Sequence, residues 1–224
     1  MPLPNHIQAL VFDAYGTLFN VASLDEGLAL HFDEKASAIN AVWRKKQLEY
    51  TWLRTLMNKY KPFSSVTKDA LLFACESLEI SISDSQMSEM MQRYFSLSAF
   101  PEIATILEAL SAQHKLAVLS NANPDMLNAS IRFNQLEKLI SHIISADAVQ
   151  QFKPRPDVYR LAETELGLDR KNIGFISSNT WDVAGAKSFG LFAIWLDRGT
   201  GIQEKLDAQA NMTITQLSQL LISP

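Results

Sequence analysis

Four short polar clusters in this chain hold the side chains that could do chemistry, and each follows an apolar run. Asp13-Ala14-Tyr15-Gly16-Thr17 follows Ile7 to Phe12, and Ser120-Asn121 follows Lys115 to Leu119. Lys153-Pro154 comes after His142 to Ser145, and Ser177-Ser178-Asn179 with Asp182 closes the run Gly174 to Ser177. Together they offer carboxylate, hydroxyl, amide and ammonium groups, the set from which acid–base and covalent catalysis is built. Each cluster alone has a bland reading: Ser-Asn after a strand is often only a turn, and a lone Lys is usually a solvated charge. Their recurrence at four strand ends gives them weight.

The elements that must position these groups follow from the periodicity. The apolar runs, with Phe192 to Leu196 as a fifth, are short and β-rich and read as buried strands. Helical patterns lie between them, over Glu102–Gln113, Pro124–Phe133, Pro156–Leu166 and Trp181–Phe189. Alternating strands and helices predict an α/β fold, a doubly wound, mostly parallel, Rossmann-like sheet covered on both faces. In such sheets ligands sit outside the carboxyl ends of the strands, where the clusters lie. Residues 21–98 break the alternation and read as helices, with a long one over Ala36–Tyr60 and others near Thr67–Leu78 and Asp84–Ser96. The expected organisation is a core of residues 1–20 and 99–224 carrying an inserted helical cap subdomain, 21–98. The stretch from Asp197 to Ala210 reads as loop, with a final helix near Thr215–Leu221.

Composition removes several classes of function. The 224 residues are 47% hydrophobic and 20% charged, enough apolar material for a sizeable core. A net charge of −4 gives no electrostatic reason to bind nucleic acid or anionic lipid. No stretch approaches the ~18 apolar residues of a membrane helix, and the N-terminus lacks the basic opening and apolar run of a signal peptide. The expected setting is cytoplasmic. Cys75 is the single cysteine and sits in an apolar segment, so it reads as a buried, inert thiol. His6, His31, His114 and His142 are scattered without metal-ligand spacing, and no metal is expected on them.

An apolar strand running into Asp-x-x-x-Thr, here Phe12-Asp13-Ala14-Tyr15-Gly16-Thr17-Leu18, resembles the first motif of the haloacid dehalogenase superfamily. Ser120, Lys153 and Asp182 match its later motifs, so the resemblance spans nearly the whole chain. Within the superfamily the sequence resembles the L-2-haloacid dehalogenases of type II. The resemblance implies Asp13 as nucleophile with Thr17 beside it. Arg44, in Val42-Trp43-Arg44-Lys45-Lys46-Gln47-Leu48-Glu49-Tyr50, matches the arginine that receives halide, with Asn121 and Phe63 completing that cradle. Ser120 matches a contact to the substrate carboxylate, and Lys153 pairs with the nucleophile. Tyr159, Ser177, Asn179 and Asp182 match the surroundings of the water that hydrolyses the ester, with Asp182 as base. Tyr15 and Trp181 are assigned to the pocket wall. Ala122-Asn123 departs from the family, where a Gly is common after Ser-Asn, and Ala22–Asp33 has no obvious counterpart.

The alternative on the same fold is a phosphatase. Such enzymes usually carry a second Asp two residues after the nucleophile, to protonate a basic alkoxide leaving group. That position is Tyr15 here, and a halide leaves without a proton. Phosphatases also hold Mg²⁺ with an acid where this chain has Ser178, and hard cations need such oxygen ligands. The expectation is therefore cofactor-free displacement: Asp13 attacks C2 of an L-2-haloacid, halide leaves, and water cleaves the aspartyl ester to give a D-2-hydroxy acid. The partners implied are the haloacid, the halide and a second copy of the chain, since members of the family are commonly homodimers. A silent binding protein is a third reading, against which stands the joint presence of Asp13, Lys153 and Asp182. Residue by residue, Arg44 competes with a reading as solvated surface beside Lys45 and Lys46. Phe63 and Tyr159 compete with plain core, and Asp182 with a helix N-terminal charge.

Overall fold

The computed structural model describes residues 2–199 and 201–221. Its centre is a six-stranded sheet in the order β3-β2-β1-β4-β5-β6. The strands are β1 (Ala9–Phe12), β2 (Lys115–Ser120), β3 (His142–Ser145), β4 (Ile173–Ser177), β5 (Phe192–Leu196) and β6 (Met212–Ile214). All five pairings are parallel. Parallel sheets are covered on both faces, and the strand residues divide accordingly. Leu10, Phe12, Leu116, Val118, Ile176 and Ile194 pack into one core; Ala9, Val11, Ala117, Leu119, Phe175 and Ala193 pack into another on the opposite face. The period-two alternation of side chains along each strand produces this split.

Eight α-helices accompany the sheet among the described residues. They are α1 (Leu24–Phe32), α2 (Ala36–Leu56), α3 (Phe63–Ser77), α4 (Asp84–Tyr94), α5 (Ile103–Ser111), α6 (Pro124–Phe133), α7 (Pro156–Leu166) and α8 (Thr180–Phe189). Helices α5 and α6 pack on the first face, and α7 and α8 on the second. The helices α1 to α4 occupy the segment between β1 and β2 and bury Trp43, Phe63, Leu71 and Tyr94 against the first core.

Several boundaries differ from the sequence reading. Helix α2 ends at Leu56, short of Tyr60, because Asn58 turns left-handed at φ 53° and the Arg54 guanidinium donates to the Lys59 carbonyl at 3.3 Å. A left-handed residue just past the last turn is a common helix stop. Helix α3 starts a turn earlier than expected, after Pro62, whose carbonyl accepts from Val66 N at 3.1 Å. Phe63 thereby enters its first turn. The sixth strand was not anticipated: only Met212 and Ile214 of its three residues are buried, too short an alternation to stand out. The final helix is 3-10, Leu217–Leu221.

Candidate active site

The register places the chemistry. Phe12 pairs with Val118 on one side and Ile176 on the other, so β1, β2 and β4 end side by side. Strand order reverses about β1, the point at which open α/β sheets leave a crevice. Asp13 lies one residue beyond β1, and its backbone N–H donates to the Ile176 carbonyl at 2.9 Å. The turn after it needs Gly16, whose φ of 83° is a conformation that side chains with a Cβ rarely adopt. Arg198, missed by the sequence reading, clasps this turn by donating to the Thr17 carbonyl at 2.9 Å and to Glu102 at 2.8 Å.

The two oxygens of Asp13 have unequal surroundings. Oδ2 accepts from the Thr17 hydroxyl at 3.0 Å, the Asn179 amide at 2.8 Å and, at 3.4 Å, the Ser177 hydroxyl. Among the described residues Oδ1 accepts only from Lys153 Nζ at 3.1 Å. Lys153 also donates to Asp182 at 2.8 Å. It is 1% exposed and Asp182 is 0% exposed, so this is a buried carboxylate–ammonium–carboxylate row. Burial disfavours the Lys153 charge, but Asp13 and Asp182 outweigh it and raise the ammonium above its ordinary value. For Asp182 burial dominates and raises the carboxyl, with Lys153 pulling the other way.

A small cavity of about 20 Å³ opens on Asp13. Its wall includes nine of the anticipated residues: Asp13, Tyr15, Arg44, Phe63, Ser120, Asn121, Lys153, Asn179 and Trp181. The tenth, Leu48, was missed; it lies one turn after Arg44 on the same face of α2, a spacing that could have pointed to it. Tyr15 stacks on Phe63 with centroids 6.1 Å apart, and Trp181 meets Trp52 edge-on at 5.6 Å. Asn121 turns its carbonyl to the Lys153 N–H at 2.8 Å, which leaves its NH₂ group for the cavity.

The other four anticipated residues, Thr17, Ser177, Asp182 and Tyr159, are buried outside that wall. Tyr159, expected around the hydrolytic water, touches Asp182 and not the cavity. Its hydroxyl donates to Asp182 Oδ1 at 2.6 Å from behind, because α7 lies on the far face of the sheet. Asn123, in the Ala122-Asn123 pair that departs from the family pattern, has an ordinary φ of −69° and accepts from Ser64 N at 3.1 Å, tying the start of α3 to the end of β2.

A family model for haloacid dehalogenase-like hydrolases matches residues 7–190. The chain belongs to that family. It is 40% identical to an (S)-2-haloacid dehalogenase of Pseudomonas sp. (strain YL), over 95% of this chain and 92% of that protein. It is 34% identical to haloacetate dehalogenase H-2 of Moraxella sp. (strain B), over 96% of each. A solved structure of L-2-haloacid dehalogenase from Xanthobacter autotrophicus with chloropropionic acid covalently bound is also similar. It superposes with a TM-score of 0.91 at 36% identity, covering 96% of this chain and 97% of that one.

Within this haloacid dehalogenase-like hydrolase the guanidinium of Arg44 has a built support. Arg44 Nη1 donates to Gln47 Oε1 at 2.8 Å, Tyr94 Oη donates to the same oxygen at 3.0 Å, and Gln47 Nε2 donates to Thr67 Oγ1 at 2.7 Å. Gln47 is fully buried. The sequence reading passed over it, although it lies one turn from Arg44. Among the described residues no three His, Cys, Asp or Glu side chains form a group able to hold a metal ion. The two carboxylates nearest the cavity are compensated by Lys153.

Proposed function

We propose that this protein hydrolyses L-2-haloalkanoic acids to D-2-hydroxy acids through an ester on Asp13. The observation that carries the reading is the asymmetry of Asp13. Oδ2 is held by three donors, while Oδ1, with Lys153 alone, keeps lone pairs for attack. Oδ1 displaces halide from C2 from behind, inverting the carbon, and needs no base. Arg44, Asn121 and Phe63 receive the halide, where charge develops in the transition state. Ser120 holds the substrate carboxylate, and Tyr15, Leu48 and Trp181 form the apolar wall around its carbon chain.

Oδ2 then becomes the ester carbonyl oxygen. Thr17, Asn179 and Ser177 already donate to it, so the charge that forms there when water attacks meets preorganised donors. Esterification removes the charge on Asp13, leaving Lys153 to pair with Asp182 alone. Asp182 accepts the water's proton, and Tyr159 holds Asp182 from behind.

The same reading makes residues 21–98 a cap over the strand ends, since Arg44, Leu48 and Phe63 complete the cavity from α2 and α3. It places the enzyme in the cytoplasm as a homodimer. Among the described residues no helix is long and apolar enough to cross a membrane. Exposed Leu53, Leu56 and Met57 near the end of α2 suit the face of a second copy.

Two measurements test the function. Chloride release from L-2-chloropropionate is expected with a metal chelator present, and none from the D isomer; equal rates on both isomers would overturn it. In a single turnover in heavy-oxygen water, the label should enter Asp13. Label found only in the product would mean that water attacks the substrate directly.

A further inference from the structure

We infer that Gln47 is a positioning residue, which sets the direction of the Arg44 guanidinium and through it the response of the enzyme to the leaving halide. The inference rests on the dehalogenase reading and adds to it. Its basis is a chain of hydrogen bonds with one possible order of protons. The Thr67 hydroxyl donates to the Phe63 carbonyl at 2.7 Å, so its oxygen can only accept from Gln47. The Gln47 NH₂ must therefore face Thr67, and its carbonyl must face the other way. There it meets two donors, Tyr94 Oη at 3.0 Å and Arg44 Nη1 at 2.8 Å. A guanidinium has donors only, so one N–H is committed to Gln47 and the remaining fork is directed.

The same chain joins both halves of the halide cradle. Arg44 stands on α2 and Phe63 in the first turn of α3, and Gln47 and Thr67 link them through buried atoms. A neutral amide suits this place. It fixes the guanidinium without cancelling the charge that the departing halide needs, as a carboxylate would.

The test uses kcat/KM on L-2-chloropropionate and L-2-bromopropionate, which reports the first irreversible step, alkylation of Asp13. Chloride is the poorer leaving group and depends more on well-aimed donors. Misdirecting a reacting group's partner costs on the order of tenfold or more, and Gln47→Met should lower the chloro rate by about that factor and the bromo rate by less. Thr67→Val should move the bromo-to-chloro ratio in the same direction, and Thr67→Ser, which keeps the hydroxyl, should leave it at the wild-type value. The ratio is independent of how much of a preparation is folded, so a purely structural role would not shift it. An unchanged ratio in Gln47→Met, or an equal shift in Thr67→Ser and Thr67→Val, overturns the assignment. A wild-type protein that releases no halide overturns instead the dehalogenase reading on which it stands.

Discussion

The Tyr159 hydroxyl donates to Asp182 Oδ1 at 2.6 Å, with both side chains wholly buried. Burial and the neighbouring Asp182 raise the phenol well above its ordinary value, so Tyr159 stays protonated and remains a donor. It supports Asp182 from the side opposite the substrate. Tyr159→Phe should therefore slow hydrolysis of the ester by roughly ten- to a hundredfold, through loss of a charge-assisted bond of ~1.5–3 kcal/mol. Halide release in the first turnover should be little affected. A burst of halide followed by slow steady turnover is the expected trace, and a lost burst would mean that Tyr159 serves the first step.

The hydrolysis of the ester should have an acid limb set by Asp182. In the free enzyme burial pushes Asp182 up to about 6, with Lys153 opposing and the charge of Asp13 adding to the rise. Asp182 acts as base only when ionised. The ester carries no charge on Asp13, so Asp182 is the stronger acid there, and hydrolysis should be fully active above about 6 and fall only as pH drops further. The rate of the second half-reaction against pH, read in single turnovers, checks this. A second half-reaction that does not slow as pH falls, or that already slows well above about 6, would exclude Asp182 as the base.

Lys153→Met should be strongly destabilising at neutral pH, because it leaves two buried carboxylates without their cation. Breaking such a pairing costs ~3–5 kcal/mol. In the variant Asp182, which burial already raises, would lose the cation that opposes the rise, so the folded state would take up protons more readily. Its stability should therefore rise as pH falls. Urea unfolding at pH 7 and pH 5 should show the deficit shrinking; a constant deficit would contradict the charge account.

Gly185 lies in α8 against the site's rear wall. A Cβ there would collide with the Tyr159 hydroxyl and meet Pro154 Cβ at 2.7 Å. Gly185→Ala should thus act at a distance, displacing Tyr159 and the Lys153-Pro154 segment. Overpacking of this kind costs ~1–3 kcal/mol, and turnover should fall although residue 185 touches no substrate. Wild-type activity and unfolding midpoint would show that the wall yields freely.

Much of the frame was legible because its boundaries carry local punctuation. Helix α6 begins at Pro124 and α7 at Pro156, and α7 stops at Gly167 in a left-handed turn, so their limits match the expectation. The strands β3 and β5 also coincide with their apolar runs. Where punctuation was weak the reading slipped. Asn58 is a weaker stop signal than a glycine, though Asn does take the left-handed conformation that ends α2, and β6 offers only alternate burial over three residues.

By itself the sequence determined the strands β1 to β5 and that Asp13, Ser120 and Ser177 fall at or just beyond strand ends, since strand periodicity and apolar runs are local properties. Tertiary structure alone decided which groups meet. It put Lys153 between Asp13 and Asp182 and set Tyr159 behind the base, away from the substrate. It also turned Leu48 into the cavity and Gln47 onto Arg44. The physical reason is that helical spacing fixes which residues share a face but not what that face will oppose. The partner depends on how α2, α3 and α7 are docked against the sheet, and that is settled by long-range packing.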